Sequence, residues 1–377
     1  MSTSTKVLVT SAAGHIGNDA VRLLIQNGYQ VRAFVRQNDW RAKDLEAQGA
    51  EIFVGNLFDF RDLTKAMDGV KRAFHIPPFA PHLLHNTMLT CLAAQEAGLE
   101  SLVLLSGWNP NPSHPSMLTR EHWIANNVAR WMPDVDVIHL TPGIFAFTYL
   151  MTTPVTRQLG ALTLPFGDGM NAPVSERDIA RCAVALLDDP KKYAGTTWRP
   201  TGPALLSPSD VAAVLSEVFA RPVKYQPISF KMFTKAARAM GAADFDMYNL
   251  RHYADEIANG AFAIGAPTDH VERLTGKPAE SFRETAERYA ADVRRLAPNL
   301  TDLSTFGAIR FMLKMMLTPA PNFKDLTAFE GSGRIKDPML GHENPEWQAA
   351  ALTGRLAFLS STSPKPSFAL VQERETS

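Results

Sequence analysis

Residues 7–19 read VLVTSAAGHIGND. Val7–Thr10 is strand-like, small residues follow, and a helical pattern runs from Gly17 to Gln26 before Asn27-Gly28 stops it. A strand that meets a helix through small residues lets backbone N–H groups approach a ligand closely, and the helix N-terminus favours an anion there. Dinucleotide turns usually read GxGxxG or GxxGxxG. In the second spacing Ser11, Gly14 and Gly17 take the three glycine positions. Gly14 permits close approach and Gly17 lets the helix pack on its strand. Ser11 is small but tolerates positive φ less well than glycine. A plain strand-turn-helix with incidental glycines is the competing reading. The place of the turn, first in the chain, favours a dinucleotide.

The pattern continues outward from this turn. YQVRAFVR is a strand, DWRAKDLEAQ a helix, EIFVG a strand, FRDLTKAM a helix and KRAFHI a strand. A long helix, PHLLHNTMLTCLAAQEAG, precedes the strands SLVLLS and VDVIHLTPG. Such alternation implies parallel strands with crossover helices, hence an α/β doubly wound parallel sheet. After Gly143 the alternation lapses. SPSDVAAVLSEVF reads as a helix with Ser207 as N-cap, Pro208 in its first turn and Asp210 near its positive end. ARPVKYQPIS resembles a strand. We expect residues 1–154 to form the sheet domain, with later segments returning to it, and 155–298 a smaller α/β substrate region. Residues 299–377 should form a C-terminal helix, within LSTFGAIRFMLKMMLTPAP, and an extended tail rich in Pro, Gly and Ser.

Composition narrows the function. The 377 residues carry 38 basic and 38 acidic side chains, a balance that favours neither nucleic acid nor an acidic membrane surface as partner. No apolar stretch is long enough to span a bilayer, and MSTSTK lacks a signal-peptide core, so the expected location is the cytoplasm. Cys91 and Cys182 form no CxxC and read as small core residues. Histidine spacings with carboxylate support are lacking, so no metal site is expected.

The second strand bears on the choice of dinucleotide. Sites for NAD place an acidic residue at its end to bind the ribose 2′-OH. Here AFVRQ puts Arg36 there, with Arg41 and Lys43 close behind. A guanidinium can pair with a 2′-phosphate through two bonds, which favours NADP(H). A solvated arginine at a strand exit is the alternative.

Several stretches together resemble the NmrA-like family of atypical short-chain dehydrogenase/reductases. VTSAAGHIG is similar to the family's TGATGxxG turn, and AFVR to its second strand. LEAQGAEIFVGNLFDFRDLTKAMDGV, NAPVSERDIARCAVALLDDP and LTGKPAESF are similar to later signatures, so the resemblance spans Lys6 to Tyr289. It implies a Rossmann-type sheet, NADP(H) as cofactor and a small C-terminal substrate region. It further implies that Thr10, Ser11, Gly14, His15, Ile16 and Gly17 line the pyrophosphate and that Arg36 meets the 2′-phosphate. Asn56 and Leu57 would flank the adenine, Asn56 standing where the family often has Asp. Ile76, Pro77 and Pro78 would lie over the ribose.

Short-chain dehydrogenases normally use Ser, Tyr and Lys. Ser106, at the end of LVLLSG, fits the serine position. GWNPNPSHPSMLTREHWIANNVARW then contains no Tyr and no Lys. Counted back from LTPG, His122 falls near the lysine position and Asn126 near a family glutamate, while His114 reads as a loop residue. His122 is either a proton relay and ribose contact or an ordinary helix residue. GIFAFTYLM follows the last sheet strand. Phe145, Phe147, Tyr149 and Met151 form either an apolar wall for a flat aromatic substrate or ordinary core. Met312, Met315 and Met316 fit a lid or homodimer contact, or else a core or crossover helix. Two functions follow. One is an NADPH-dependent oxidoreductase acting on a small apolar, aromatic or quinoid substrate that needs no strong protein acid. The other is a non-catalytic NADP(H)-sensing regulator acting through a protein partner.

Overall fold

The protein is described from a computed structural model, which covers residues 5–151, 153–291, 304–322 and 336–353. Its main sheet is built as the alternation predicts. β1 (Lys6–Val9), β2 (Gln30–Val35), β3 (Glu51–Val54), β4 (Arg72–His75), β5 (Ser101–Leu105) and β6 (Asp136–Leu140) are separated by α1 (His15–Gln26), α2 (Trp40–Ala47), α3 (Phe60–Met67), α4 (Leu83–Glu96) and α5 (Met117–Ala129). Helix α1 begins two residues before the predicted start, at His15 rather than Gly17.

Next come α6 (Phe147–Leu150), α7 (Thr153–Leu159), β7 (Ala161–Leu164), α8 (Glu176–Asp188), α9 (Pro190–Tyr193) and β8 (Thr197–Trp198). Strand β8 completes a seven-stranded sheet of order β3-β2-β1-β4-β5-β6-β8, with every pairing parallel. The central strands β1 and β5 have both faces covered and are buried along nearly their whole length. Val7 and Val9 join Val31, Val35, Val103 and Ile138 under α1 and α8. Leu8, Phe34, Leu102 and Val137 point the other way, onto Leu63, Met67, Cys91 and Ala94 of α3 and α4. Cys91 and Cys182 are both buried and free, as expected of core residues.

The chain continues through α10 (Pro208–Val218), β9 (Lys224–Pro227), α11 (Phe230–Ala239), α12 (Asp244–Ala258), α13 (His270–Thr275) and α14 (Phe282–Ala291). Strands β7 and β9 form a separate parallel pair. A third core of Leu162, Leu164, Val211, Leu215, Ala254, Ile257 and Tyr289 lies among these elements. Ser207 caps α10 in a reciprocal capping box with Asp210, and Pro208 stands in the first turn. Both features follow from local chemistry alone.

Helix α15 (Thr305–Leu317) is present where the sequence predicts it. The segment expected as an extended tail differs. Residues 336–353 include a further helix, α16 (Pro345–Leu352), whose Trp347 and Ala351 are buried in the third core. An indole with little exposed surface gains more by burial than an extended chain gains in freedom. The remainder of that expectation, on 299–303, 323–335 and 354–377, lies outside the described residues.

Candidate functional site

Because the main sheet is parallel, the carboxyl ends of β3, β2, β1 and β4 open side by side along one edge. Strand order reverses between β1 and β4, the position at which such sheets form a ligand crevice. The predicted cofactor residues all leave the sheet along this edge.

Ser11 takes the left-handed conformation, φ +50°, that a glycine would hold without strain. Its Oγ donates to the Ile76 carbonyl at 2.7 Å, tying the end of β1 to the residue after β4. The Thr10 side chain turns into the sheet and ties β1 to β4. It is completely buried, its hydroxyl accepts from the Ile76 N–H at 2.8 Å, and His75 Nδ1 lies 3.0 Å away. Burial pushes His75 down to about 3, so its imidazole is neutral.

Gly14 is exposed and starts α1 without a capping side chain or an acidic residue in the first turn. The positive end of the helix is therefore open to an anion. A Cβ on Gly14 would lie 3.2 Å from the Ser11 carbonyl oxygen. One on Gly17 would lie 2.5 Å from that oxygen and 2.7 Å from Ala12 Cα. Gly17 is thus dictated by helix-strand contact, and Gly14 by the turn. The Ile16 side chain is buried in the core under α1, which leaves only its backbone within reach of a ligand.

Arg36 is exposed immediately after β2 and has no carboxylate partner among the described residues. Arg41 is held at 2.6 Å by Asp39, the N-cap of α2. Asn56 follows β3; its Oδ1 accepts from the Phe58 N–H at 3.0 Å, and its own N–H donates to Asp62. The Leu57 carbonyl accepts from Asn86 Nδ2 at 2.6 Å. Ile76, Pro77 and Pro78 are half-buried.

Ser106 follows β5, one strand beyond β4. Asn126 Nδ2 donates to its Oγ at 2.8 Å, and His122 Nδ1 lies 3.2 Å from the same oxygen. His122 and Asn126 stand four residues apart on one face of α5, which explains why both reach Ser106. Burial pushes His122 down to about 4. It is therefore neutral near pH 7, one ring nitrogen carrying a proton and the other open, with Nδ1 within hydrogen-bond reach of Ser106.

Tyr253 of α12 has no signal in the sequence around Ser106. A Cβ on Gly107 would lie 3.9 Å from its hydroxyl and 3.8 Å from His122 Cδ2. The phenol and the imidazole therefore flank the backbone next to Ser106. Burial raises the Tyr253 phenol to about 12, so it keeps its proton.

The aromatic segment divides. The Phe147 ring lies 4.5 Å from the His15 ring and 5.9 Å from Tyr289, beside the glycine turn. Buried Glu176 fixes this cluster, accepting from the Phe147 N–H at 3.0 Å and from Tyr289 Oη at 3.1 Å. Phe145 and Met151 are half-buried. Tyr149 takes the second of the two expected readings, core: it is fully buried and receives a 2.6 Å hydrogen bond from Asn171 on its hydroxyl. One helical turn sends Phe147 and Tyr149 in different directions. His114 is also no plain loop residue. It is completely buried, its Nε2 3.1 Å from the equally buried Glu256. Glu256 also holds Asn109 Nδ2 and the Gly341 N–H. Among the described residues, no three His, Cys, Asp or Glu are grouped to hold a metal ion. No described helix is long and apolar enough to cross a membrane.

The chain is similar to several known proteins. It is 30% identical over 292 residues to an NAD(P)H azoreductase of Xenophilus azovorans, covering 76% of this chain and 98% of that protein. It is 25% identical over 293 residues to quinone oxidoreductase 2 of Escherichia coli K12, covering 74% and 96%. Among solved structures, the triphenylmethane reductase of Citrobacter sp. complexed with NADP(H) superposes with a TM-score of 0.65 at 21% identity, covering 74% and 99%. The model of the NmrA-like family matches residues 3–262. With the glycine turn at the switch point of a parallel sheet and a family match over most of its length, the chain belongs to the NmrA-like family.

Proposed function

We propose that this protein is an NADPH-dependent reductase of a small apolar compound, aromatic or quinoid. One observation carries the reading: the open turn after β1 and the Ser106–His122–Asn126 chain after β5 lie on one sheet edge, about 10 Å or two strand spacings apart. The azoreductase and the quinone oxidoreductase, similar over nearly their whole lengths, support the same class of chemistry.

In this reading residues 1–154 hold the cofactor and 155–298 cover the substrate. The turn Ser11–Gly17 would hold the pyrophosphate through backbone N–H groups, and Arg36 would pair with the 2′-phosphate. Asn56, Leu57, Ile76 and Pro77 would enclose the adenosine end. The small, uncapped turn and the exposed guanidinium fit such a group. When bound, NADPH supplies the hydride. Ser106, oriented by Asn126 and His122, donates or accepts one hydrogen bond at the reacting end. Phe145, Phe147 and Met151 offer apolar surface to a flat acceptor.

Tyr253 is the candidate proton donor in place of the tyrosine missing after Ser106. No lysine lowers its pKa and burial raises it, so it is a weak acid, and the site as a whole suits acceptors whose reduced form is a stabilised anion or takes its proton from water.

The test is NADPH oxidation by the purified protein with quinones, azo dyes and simple ketones. The expected result is turnover of the first two classes and little of the third. Tight NADPH binding without oxidation by any acceptor would instead favour a redox-sensing regulator.

A further inference from the structure

The family match ends at residue 262, and relatives aligned over 96–98% of their own length cover only about three quarters of this chain. Helix α15 lies beyond the matched region and packs against α7 and α11. It turns Ala308 and Met315 inward. Phe306 and Leu317 are 74% and 85% exposed, and Ile309, Leu313 and Met316 are each at least half exposed. At 3.6 residues per turn these five side chains share an arc of about 100°. Arg310 and Lys314 run along one edge of it, both exposed. Leu159 of α7 and Met232 of α11 add exposed apolar surface.

The charge here is one-sided. Residues 153–159, 229–241 and 304–322 contain Arg157, Lys231, Lys235, Arg238, Arg310 and Lys314 but no Asp or Glu. Of these, Arg238 is paired, to Asp244 at 2.9 Å. Lys235 Nζ donates to the Met316 carbonyl and Lys314 Nζ to the Ala239 carbonyl, each at 2.7 Å. Each lysine thus caps the end of the opposite helix and keeps its charge on this face. In a chain whose net charge is zero, such a concentration is local.

We propose that α15, supported by α7 and α11, is a docking surface for an anionic lipid bilayer. The apolar side chains enter the headgroup boundary while the basic ones meet lipid phosphates. Charge complementarity selects this occupant. A two-fold dimer through the same face would set like charges against each other. The segments outside the described residues carry no net negative charge: 292–303 and 323–335 each hold two basic and two acidic side chains, and 354–377 three basic and two acidic. The surface is peripheral and needs no spanning helix.

The experiment is co-sedimentation of the full chain with vesicles of phosphatidylcholine alone and of phosphatidylcholine with phosphatidylglycerol. Binding to the anionic vesicles only, weakened by salt, is expected. Arg310→Glu with Lys231→Glu should lower the partition coefficient by about 10-fold or more. Phe306→Glu with Leu317→Glu should abolish binding, with the circular dichroism spectrum unchanged in both variants. Failure to bind anionic vesicles at low salt would overturn the proposal, as would binding that ignores both pairs of substitutions. A dimer in analytical ultracentrifugation that Phe306→Glu dissociates would assign the face to a second copy and overturn it equally.

Discussion

At the scale of single residues, Arg36 and Tyr253 make contrasting predictions. Arg36 is exposed where a 2′-phosphate would lie, so Arg36→Asp should reverse a preference for NADPH over NADH. One lost charge-assisted contact is worth about 1.5–3 kcal/mol, roughly 10- to 150-fold in affinity. Fluorescence titration of both cofactors measures it, and equal affinities in the unmutated protein would remove the argument. Tyr253→Phe should lower turnover of acceptors that need a proton by about 100-fold while leaving NADPH affinity intact. His122→Asn keeps a polar group near Ser106 and should cost less than about 10-fold, because burial disfavours the imidazolium that a general acid would need. Steady-state kinetics with quinone and ketone acceptors compare the two; a larger loss at His122 would return the acid role to it. The positions of Arg36 and Ser106 just past β2 and β5 were legible because each sits at a fixed offset from a strand end. His122 was legible in its place opposite Ser106, but its burial was not, since that depends on packing that no local pattern encodes. Tyr253 was not legible at all: it reaches Gly107 across nearly 150 residues of chain.

At the scale of elements, the turn and α1 separate two uses of glycine. A methyl group at Gly17 would overlap the Ser11 carbonyl and the Ala12 backbone, so Gly17→Ala should push α1 off its strand. The expected cost is about 1–3 kcal/mol of stability, together with weaker NADPH binding. Gly14→Ala meets only one atom, at 3.2 Å, and should disturb stability less than it disturbs binding. Urea denaturation beside calorimetry with NADPH distinguishes the two; equal stability losses would contradict the separation. The order of strands and helices was legible because apolar runs and capping residues are local signals. Helix α16 was not: its eight residues gain their order from Trp347, which has a pocket only once α12 and the third core exist.

At the scale of the whole molecule, interior histidines couple stability to acid. Burial holds His75, His139 and His252 down to about 3 and His122 and His270 to about 4. Their unfolded value is about 6.5, so below it the unfolded chain binds protons that the folded chain refuses. Stability is therefore full above about pH 6.5 and falls as pH drops toward 4. Urea midpoints at about pH 7 and about pH 5 should show the loss. His270→Asn, which can still accept from the Arg199 N–H, should lessen it; an unchanged pH dependence would exclude His270 as a contributor. The last helix has a different reach. Arg199 stacks on the Trp108 ring at 3.4 Å and donates to the carbonyls of Trp108 and Ala351. Buried Glu256 joins Asn109 and His114 to the backbone of Gly341. The loop after β5 is thereby fastened to residues among the last described. A ribosome finishes the main sheet with Trp198 but must add roughly 150 more residues before Ala351 exists, a lag of about 8–30 s at ~5–20 residues per second. During that interval the nascent chain can complete its strands, while the loop beside Ser106 still lacks its final fastening.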